Sequence, residues 1–466
     1  MIKRLLTALF IAVILMGGLA SPVEAAVPTS YESGIQVRNL TDNPGEIILK
    51  FYDLNGVLIN EFPDEIAGNE SKTYYQASMP VDAGFNGSVV IDSTVPLAAL
   101  SNLVGLDSGG GRVSYAAYGG FSAGSMNVYL PILFKGNFGY NTFYYVQNTG
   151  SVPTDVNVAY STGINVTITG LQPGQSKVVN QVDEAHTQSV FSGTLTASDA
   201  PIAVAVVQEG PALFSYIGFG AGVTNPIMPL INQNNFGYFT GAQIQNAGGT
   251  DTIVTVEYEP ALAGTACTET RTIPAGASRT FSLNVFYTPQ AETDPAFDTT
   301  CTMGETFIGS AKVTANTANM ELVAVVNQLQ IADNKGGAYN ALFAADGQQK
   351  VIFPLIMDRN FGYFTGWSIV NVGTTPIAAG ALVCNVTGVG ESGPIDMDIS
   401  NPETIPAEGS WTHIQLDQID SGFVGGATCV GPAGARLVGT SNQLGAGPMW
   451  AGIDTLLVSE GFVVEP

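Results

Sequence analysis

The sequence predicts an all-β protein built from four tandem β-sandwich domains in an elongated array. Three observations carry this. Apolar residues alternate with polar ones at period two in many short runs. Turn residues recur every 8–12 positions. One pattern of strands and turns returns at domain-sized intervals.

The first segment sets the compartment. "MIKRLL" carries Lys3 and Arg4, an apolar run follows to about Leu19, and "SPVEAA" supplies small residues before a cut after Ala25. This is the three-part pattern of a secretory signal peptide, expected over residues 1–25. The alternative is an uncleaved anchor, but the run is short against the about 20 apolar residues a span needs. Location is therefore expected to be secreted, extracellular or at the cell surface, with no membrane insertion after signal removal.

Composition fits that location. Charged residues make up 12% of the chain, against about 25% in ordinary domains. Lys and Arg number 15 against 39 Asp and Glu, a formal net charge of -24. Such a field repels nucleic acid and anionic lipid.

The repeat is read from the strand that ends in Asn. "GIQVRNLT", "YYVQNTG", "AQIQNAG" and "SIVNVG" place it at Asn39, Asn148, Asn246 and Asn371. The last three are each preceded by a Pro-bearing run, "VYLPILF", "PIMPLI" or "VIFPLI", and by "NFGYNTF" at Asn137 or "NFGYFTG" at Asn235 and Asn360. The next strand alternates. Ile47, Leu49 and Phe51 match Val156, Val158 and Tyr160, then Val254, Val256 and Tyr258, with Ala379, Ala381 and Val383 taking those places in the last copy. A turn with Pro173, Pro274 or Pro406 follows, and then a strand opened by Phe85, Phe191, Phe307 or Phe423. About seven short strands in each copy argue for two antiparallel sheets, immunoglobulin-like, over residues 26–125, 126–224, 225–347 and 348–466.

This order of motifs resembles the tandem immunoglobulin-like modules of secreted and cell-surface bacterial proteins. The resemblance covers nearly the whole chain after the signal and implies an envelope role in structure or adhesion. It carries no functional residue.

The Pro-bearing strand stands before the second, third and fourth copies, and nothing like it precedes the first. It is expected to close the preceding domain, with Leu456, Leu457 and Val458 as its final example. The alternative leaves a vacant edge on domain one, filled by the C-terminal strand of another molecule, which would build a head-to-tail filament.

Chemistry-bearing residues are sparse. The four cysteines, with no C-x-x-C, predict disulfides Cys267–Cys301 and Cys384–Cys429; the other pairings and free thiols are the alternatives. His186, near Asp183 and Glu184, lacks any nucleophile motif and is expected in an exposed loop. His413 is expected on a strand. "LDQID" and "DMDIS" do not match a calcium loop. The acidic insertion from Pro289 to Cys301 is expected to be a loop, with calcium binding as the alternative. No cofactor, metal set or catalytic residue is expected.

The aromatics of "NFGYFTG", Phe236, Tyr238, Phe361 and Tyr363, are expected to pack at domain ends or between domains. Their functional alternative is a platform for sugar rings. All three tryptophans lie in the last copy. Trp367, Trp411, Trp450 and Tyr363 are therefore the residues expected to contact glycan there. The reading is a non-enzymatic secreted or cell-surface structural or adhesive protein. Its alternatives are a glycan-binding array and a filament subunit. Partners are expected to be the chain itself, other envelope proteins or polysaccharide.

Overall fold

A computed structural model describes residues 27–282 and 301–464. The expected signal peptide, its cut after Ala25 and residues 289–300 of the acidic insertion lie outside the described residues. The fold is all-β, and every paired strand runs antiparallel. Each sheet draws its strands from one of four successive stretches of chain, 30–119, 127–217, 226–343 and 350–464. These are called segments one to four.

Segment two displays the pattern. One sheet has the order Asn165–Leu171, Thr154–Tyr160, Val190–Ala197, Asn127–Phe134, and the other Ser176–Asn180, Asn141–Asn148, Ile202–Glu209, Leu213–Ile217. Segment three repeats both orders and adds Leu342–Phe343 to the edge of the first. In segment four the two sheets join, through the Asp358↔Phe364 and Asn360↔Tyr363 pairs, into one nine-stranded sheet. Segment one has the second sheet but only three strands in the first: Leu58–Ile66, Gly45–Asp53 and Gly87–Ser93. Alternation places Val156, Val158 and Tyr160, and likewise Val254, Val256 and Tyr258, inside their cores.

Three expectations are corrected. The Pro-bearing strand opens the following segment. Asn127–Phe134, Pro226–Gln233 and Lys350–Asn360 each pair with the strand begun by Phe191, Phe307 or Phe423 of that same segment. Leu456–Glu460 is no copy of it and pairs with Leu437–Gly445. In segment four the inward positions are Leu382, Cys384 and Val386, while Ala379, Ala381 and Val383 are not buried. An added bridge between Ile377 and Ile405 takes up the residues before that strand.

The third correction concerns shape. The segments are not strung out in a line. The last long strands of the four, Arg112–Gly119, Leu213–Ile217, Lys335–Asn340 and Leu456–Glu460, each touch the next, and the fourth touches the first. One hydrogen bond marks each junction. Ser215 Oγ donates to the Ala117 carbonyl at 2.9 Å, and Asn340 Nδ2 to the Ile217 carbonyl at 2.6 Å. The Asn340 N–H donates to Glu460 Oε1 at 2.6 Å, and the Asp454 N–H to the Val113 carbonyl at 3.1 Å. Apolar clusters follow the same cycle. Ala116 meets Val207 and Leu213; Phe214 and Tyr216 share a core with Val325 and Ala338. Tyr339 meets Leu456 and Val458, and Tyr115 meets Leu355 and Leu457.

Asp454 ties this hub together. Its Oδ2 accepts the Leu213 N–H and its Oδ1 the Gly336 N–H, both at 2.8 Å. With the Val113 bond, one buried residue of segment four reaches the other three segments. Burial raises its carboxyl pKa well above the usual range, and the backbone donors pull against that rise. The two glycines opposite allow the approach. A Cβ on Gly336 would stand 2.5 Å from Phe214 Cε1, and one on Gly337 2.5 Å from Val458 Cγ2.

The repeated Asn is a staple. Asn148 Nδ2 donates to the carbonyls of Val152 and Leu171 at 2.8 Å each, and its Oδ1 accepts the Gly150 N–H at 2.9 Å. Asn39, Asn246 and Asn371 make the equivalent bonds. Each fixes the loop after its own strand to the turn that leads into a later strand. The motif's first role is therefore internal.

A closed cycle predicts a compact particle. Solution scattering should give a radius of gyration near that of a compact chain of this length, about 22 Å; a value twice as large, with a long tail of pair distances, would restore the extended array. Asp454→Ala leaves the Leu213 and Gly336 N–H groups buried without acceptors and should cost about 3 kcal/mol. Hydrogen exchange at those two amides should rise before exchange elsewhere, and an unchanged exchange pattern would remove Asp454 from the hub.

Candidate functional site

The stretch Asn-Phe-Gly-Tyr is a two-residue hairpin. Asn137 and Tyr140 exchange backbone bonds at 3.0 and 2.9 Å, and Asn235 and Tyr238 do so at 3.1 and 2.9 Å. The two residues between them need left-handed backbone. Gly139, Gly237 and Gly362 adopt it at no steric cost, with φ of 87°, 79° and 80°. Phe138, Phe236 and Phe361 adopt it too, with φ of 48°, 48° and 49°. A bulky side chain is rare there, because its Cβ crowds the backbone.

The following residues explain the rest of the motif. Thr142, Thr240 and Thr365 are buried, and each hydroxyl accepts an N–H from its proline strand, at Phe134, Asn232 and Met357 respectively. The tyrosines Tyr140, Tyr238 and Tyr363 are each 8% exposed and pack inward. The phenylalanines do the reverse. Phe138 is 88% exposed, Phe236 86% and Phe361 79%. The expectation that these rings pack at domain ends or between domains holds for the tyrosines and is corrected for the phenylalanines. At the tip of a two-residue hairpin the first turn residue lies beyond the paired strands, so its ring has no neighbouring strand to pack against.

Each of the three turns abuts the chain just before a hub strand: the Tyr140 hydroxyl accepts the Ala212 N–H at 3.2 Å, Gln330 Nε2 donates to the Phe236 carbonyl at 2.8 Å, and the Phe361 carbonyl accepts from Trp450. Burial raises the hydroxyl pKa of Tyr140, Tyr238 and Tyr363, and the Asp454 carboxylate adds to the rise at all three. Trp450 stands at the same end. Its Nε1 donates to the Phe361 carbonyl at 3.0 Å, and its ring meets Tyr115 and Tyr363 edge-on at 5.9 and 5.0 Å. The Asp454 end of the molecule therefore carries three exposed phenyl rings, each on strained backbone.

Of the residues expected to contact glycan, Tyr363 and Trp450 stand at this end, while Trp367 and Trp411 lie inside segment four. Trp367, between Phe353 and His413, is 1% exposed and Trp411 is 7% exposed. Tyr363 is buried and Trp450 half-buried. These four do not assemble an open aromatic platform.

The disulfides pair as expected, Cys267 with Cys301 and Cys384 with Cys429. The second links directly opposed residues of neighbouring strands.

His186 is not an exposed loop residue. It is buried, stacked 4.0 Å from Phe191, with Nδ1 2.9 Å from Thr162 Oγ1 and Nε2 3.0 Å from Gln181 Oε1. Burial lowers its pKa. Gln181 continues to Tyr160 at 3.2 Å, and Tyr160 to Tyr144 at 2.6 Å. This chain of polar groups satisfies itself inside segment two and contains no carboxylate. His413 lies on a strand as expected, against Trp367.

The acids of "LDQID" belong to a capped loop. The buried Asp358 carboxylate accepts N–H groups from Asp417, Gln418 and Ile419 at 3.0, 3.0 and 2.9 Å, with Arg359 Nε at 2.9 Å. Burial acts to raise its pKa, but the Ile419, Gln415 and Arg359 donors outweigh it and hold the group at about 2. Among the described residues, no group of three or more His, Cys, Asp or Glu is arranged to hold a metal ion. No described helix is long and apolar enough to cross a membrane.

No family model and no curated protein matches the chain. Among solved structures, an α-L-rhamnosidase of Streptomyces avermitilis complexed with L-rhamnose is similar at 8% identity, with a TM-score of 0.13. That match covers 91% of this chain and 55% of the rhamnosidase chain, so this chain spans about half its length. At that score the likeness carries no argument about fold or activity.

Two outcomes follow. Asp358 is ionised in the fold well below the usual carboxylate range, so its contribution is full above about pH 4 and lost as pH falls through about 2. Thermal unfolding should give Asp358→Asn a deficit at pH 6 that vanishes near pH 2; a deficit independent of pH would assign the effect to shape. Replacing Phe236 by Asn, a residue that tolerates left-handed backbone before Gly, should raise stability by about 1 kcal/mol. A loss in urea unfolding would mean that the exposed ring packs in solution.

Proposed function

We propose that the chain is a non-enzymatic, exported adhesive protein of the cell surface or its surroundings, built from four immunoglobulin-like sandwich domains. Adhesion uses the face tipped by Phe138, Phe236 and Phe361. One observation carries this reading. Three phenyl rings are exposed at backbone positions that disfavour them, and the fold repeats the arrangement in three segments. Packing does not account for those rings, and asparagine would suit the turn better. A residue kept against local stability at an exposed site fits a contact made with something else.

The chemistry of the tips narrows the partner. Phenylalanine has no polar edge, unlike the Tyr and Trp that suit sugar rings. Three separated apolar tips on a strongly acidic, low-charge-density body fit an apolar surface or the apolar patches of envelope proteins. Two disulfides support life in an oxidising compartment.

The test is retention on an alkyl-coated sensor and on a polysaccharide-coated one, at low and high salt. The triple variant Phe138→Asn, Phe236→Asn, Phe361→Asn should fold, unfold at a higher urea concentration than the parent, and lose at least ten-fold in retention on the alkyl surface. Equal retention of parent and variant would end this reading. Retention by polysaccharide alone would move it to glycan binding.

A further inference from the structure

In three segments the strand that opens with the Phe-x-Gly sequence is flanked on both sides. Val190–Ala197 lies between Thr154–Tyr160 and the proline strand Asn127–Phe134. Segments three and four repeat this with Pro226–Gln233 and Lys350–Asn360. In segment one the equivalent strand, Gly87–Ser93, pairs with Gly45–Asp53 on one side. No described strand pairs with its other edge.

Packing records the same gap. The residue before each proline, Leu130, Met228 and Phe353, is fully buried and closes the core of its segment. Under that cover Phe191, Phe307 and Phe423 are fully buried, and so are Leu195, Ala311 and Ala427 four residues on. Their counterparts in segment one, Phe85 and Val89, are only half-buried, as is Ile91. The facing wall is open too. The proline strand of segment two touches the asparagine strand of segment three, where Gln243 and Gln245 are buried. The asparagine strand of segment two faces segment one with Tyr145 and Gln147 half-buried. Gln147 Nε2 reaches Ser88 Oγ at 2.6 Å, as Gln245 Nε2 reaches Thr194 Oγ1 at 3.2 Å, so the two segments sit in the same relation with the strand missing.

We propose that this vacancy is an acceptor groove for a strand donated by another exported chain. The donor is an extended apolar segment with a proline in its middle, lying antiparallel to Gly87–Ser93. Its chemistry is read from the three strands that fill the equivalent place. Each is apolar on both sides of the proline, and each is bulged at it, between Met228 and Ile231 and between Phe353 and Ile356, for example. Main-chain bonds to the free edge supply affinity, and the residue before the proline supplies specificity by plugging the open core. The C-terminal strand of a second copy is not the donor, because Leu456–Glu460 and Phe462–Val464 are both paired within their own segment. This groove does not depend on the phenylalanine-tipped face.

The probe is a fluorescent peptide of residues 127–134, with two lysines at each end for solubility and photoreactive leucine at the place of Leu130. It is titrated against the exported chain, whose N-terminus is read by sequencing. One peptide per chain should bind saturably, at least ten-fold more tightly than a scrambled peptide with the same lysines. Photolysis should attach it to residues 85–91 and to Tyr145. The triple phenylalanine variant should bind it equally, which separates this test from the adhesion test. Absence of saturable binding would overturn the proposal, including the case in which the chain's own residues before Val27 already occupy the groove. Attachment at other residues would overturn it as well.

Discussion

The architecture depends on a closed cycle of four buried strands around one acid. Asp454 accepts N–H groups from segments two and three and donates its own to segment one. Its two carboxyl oxygens each take a backbone donor. Its burial is costly by itself, so the bonds that satisfy it also fix where the four segments stand. The cycle admits no slack on the opposite side, where Gly336 and Gly337 touch Phe214 and Val458 with no room for a Cβ.

From this constraint the interfaces follow. Each junction sets the asparagine-bearing sheet of one segment against the other sheet of the segment before it. Proline makes that face usable. It lacks an N–H, the ladder bulges there, and its carbonyl is freed from the sheet. Ser368 Oγ of segment four donates to the Pro229 carbonyl at 2.7 Å, and Ser71 Oγ of segment one to the Pro354 carbonyl at 3.1 Å. The second of these closes the circle. A head-to-tail contact that closes after four copies uses up its own ends, whereas an open one would continue into a filament.

Closure also converts sequence repetition into a surface. In a rod, three copies of a turn would be spread along its length. Around a hub they come to one end, which is why Tyr140, Tyr238 and Tyr363 all sense Asp454. Among the described residues, segment one has neither the turn nor the proline strand. The ring there shows three phenyl tips and one strand edge, that of Gly87–Ser93, with no described partner.

The sequence by itself marked the strands and, in segments one to three, their inward residues, because period-two alternation is a local fact, and the repeat map set each cysteine pair within one copy. It also marked the asparagines, prolines and hairpins as repeated. The hairpin carries a local signal of its own: Phe before Gly in a two-residue turn implies a ring on left-handed backbone at the tip. What the tertiary structure decided is closure and membership. Whether a proline strand belongs to the segment before or after it depends on pairing between residues 56 to 85 positions apart, which no local pattern encodes. The register in segment four moved because one added bridge at Ile377 displaced the alternation. The hub was hidden because a lone Asp454 in "GIDTLLVSE" and a pair of glycines in "KGGAYN" look like ordinary loop residues. Their meaning is a distance of a few ångströms between strands more than a hundred residues apart, and only the fold brings those strands together.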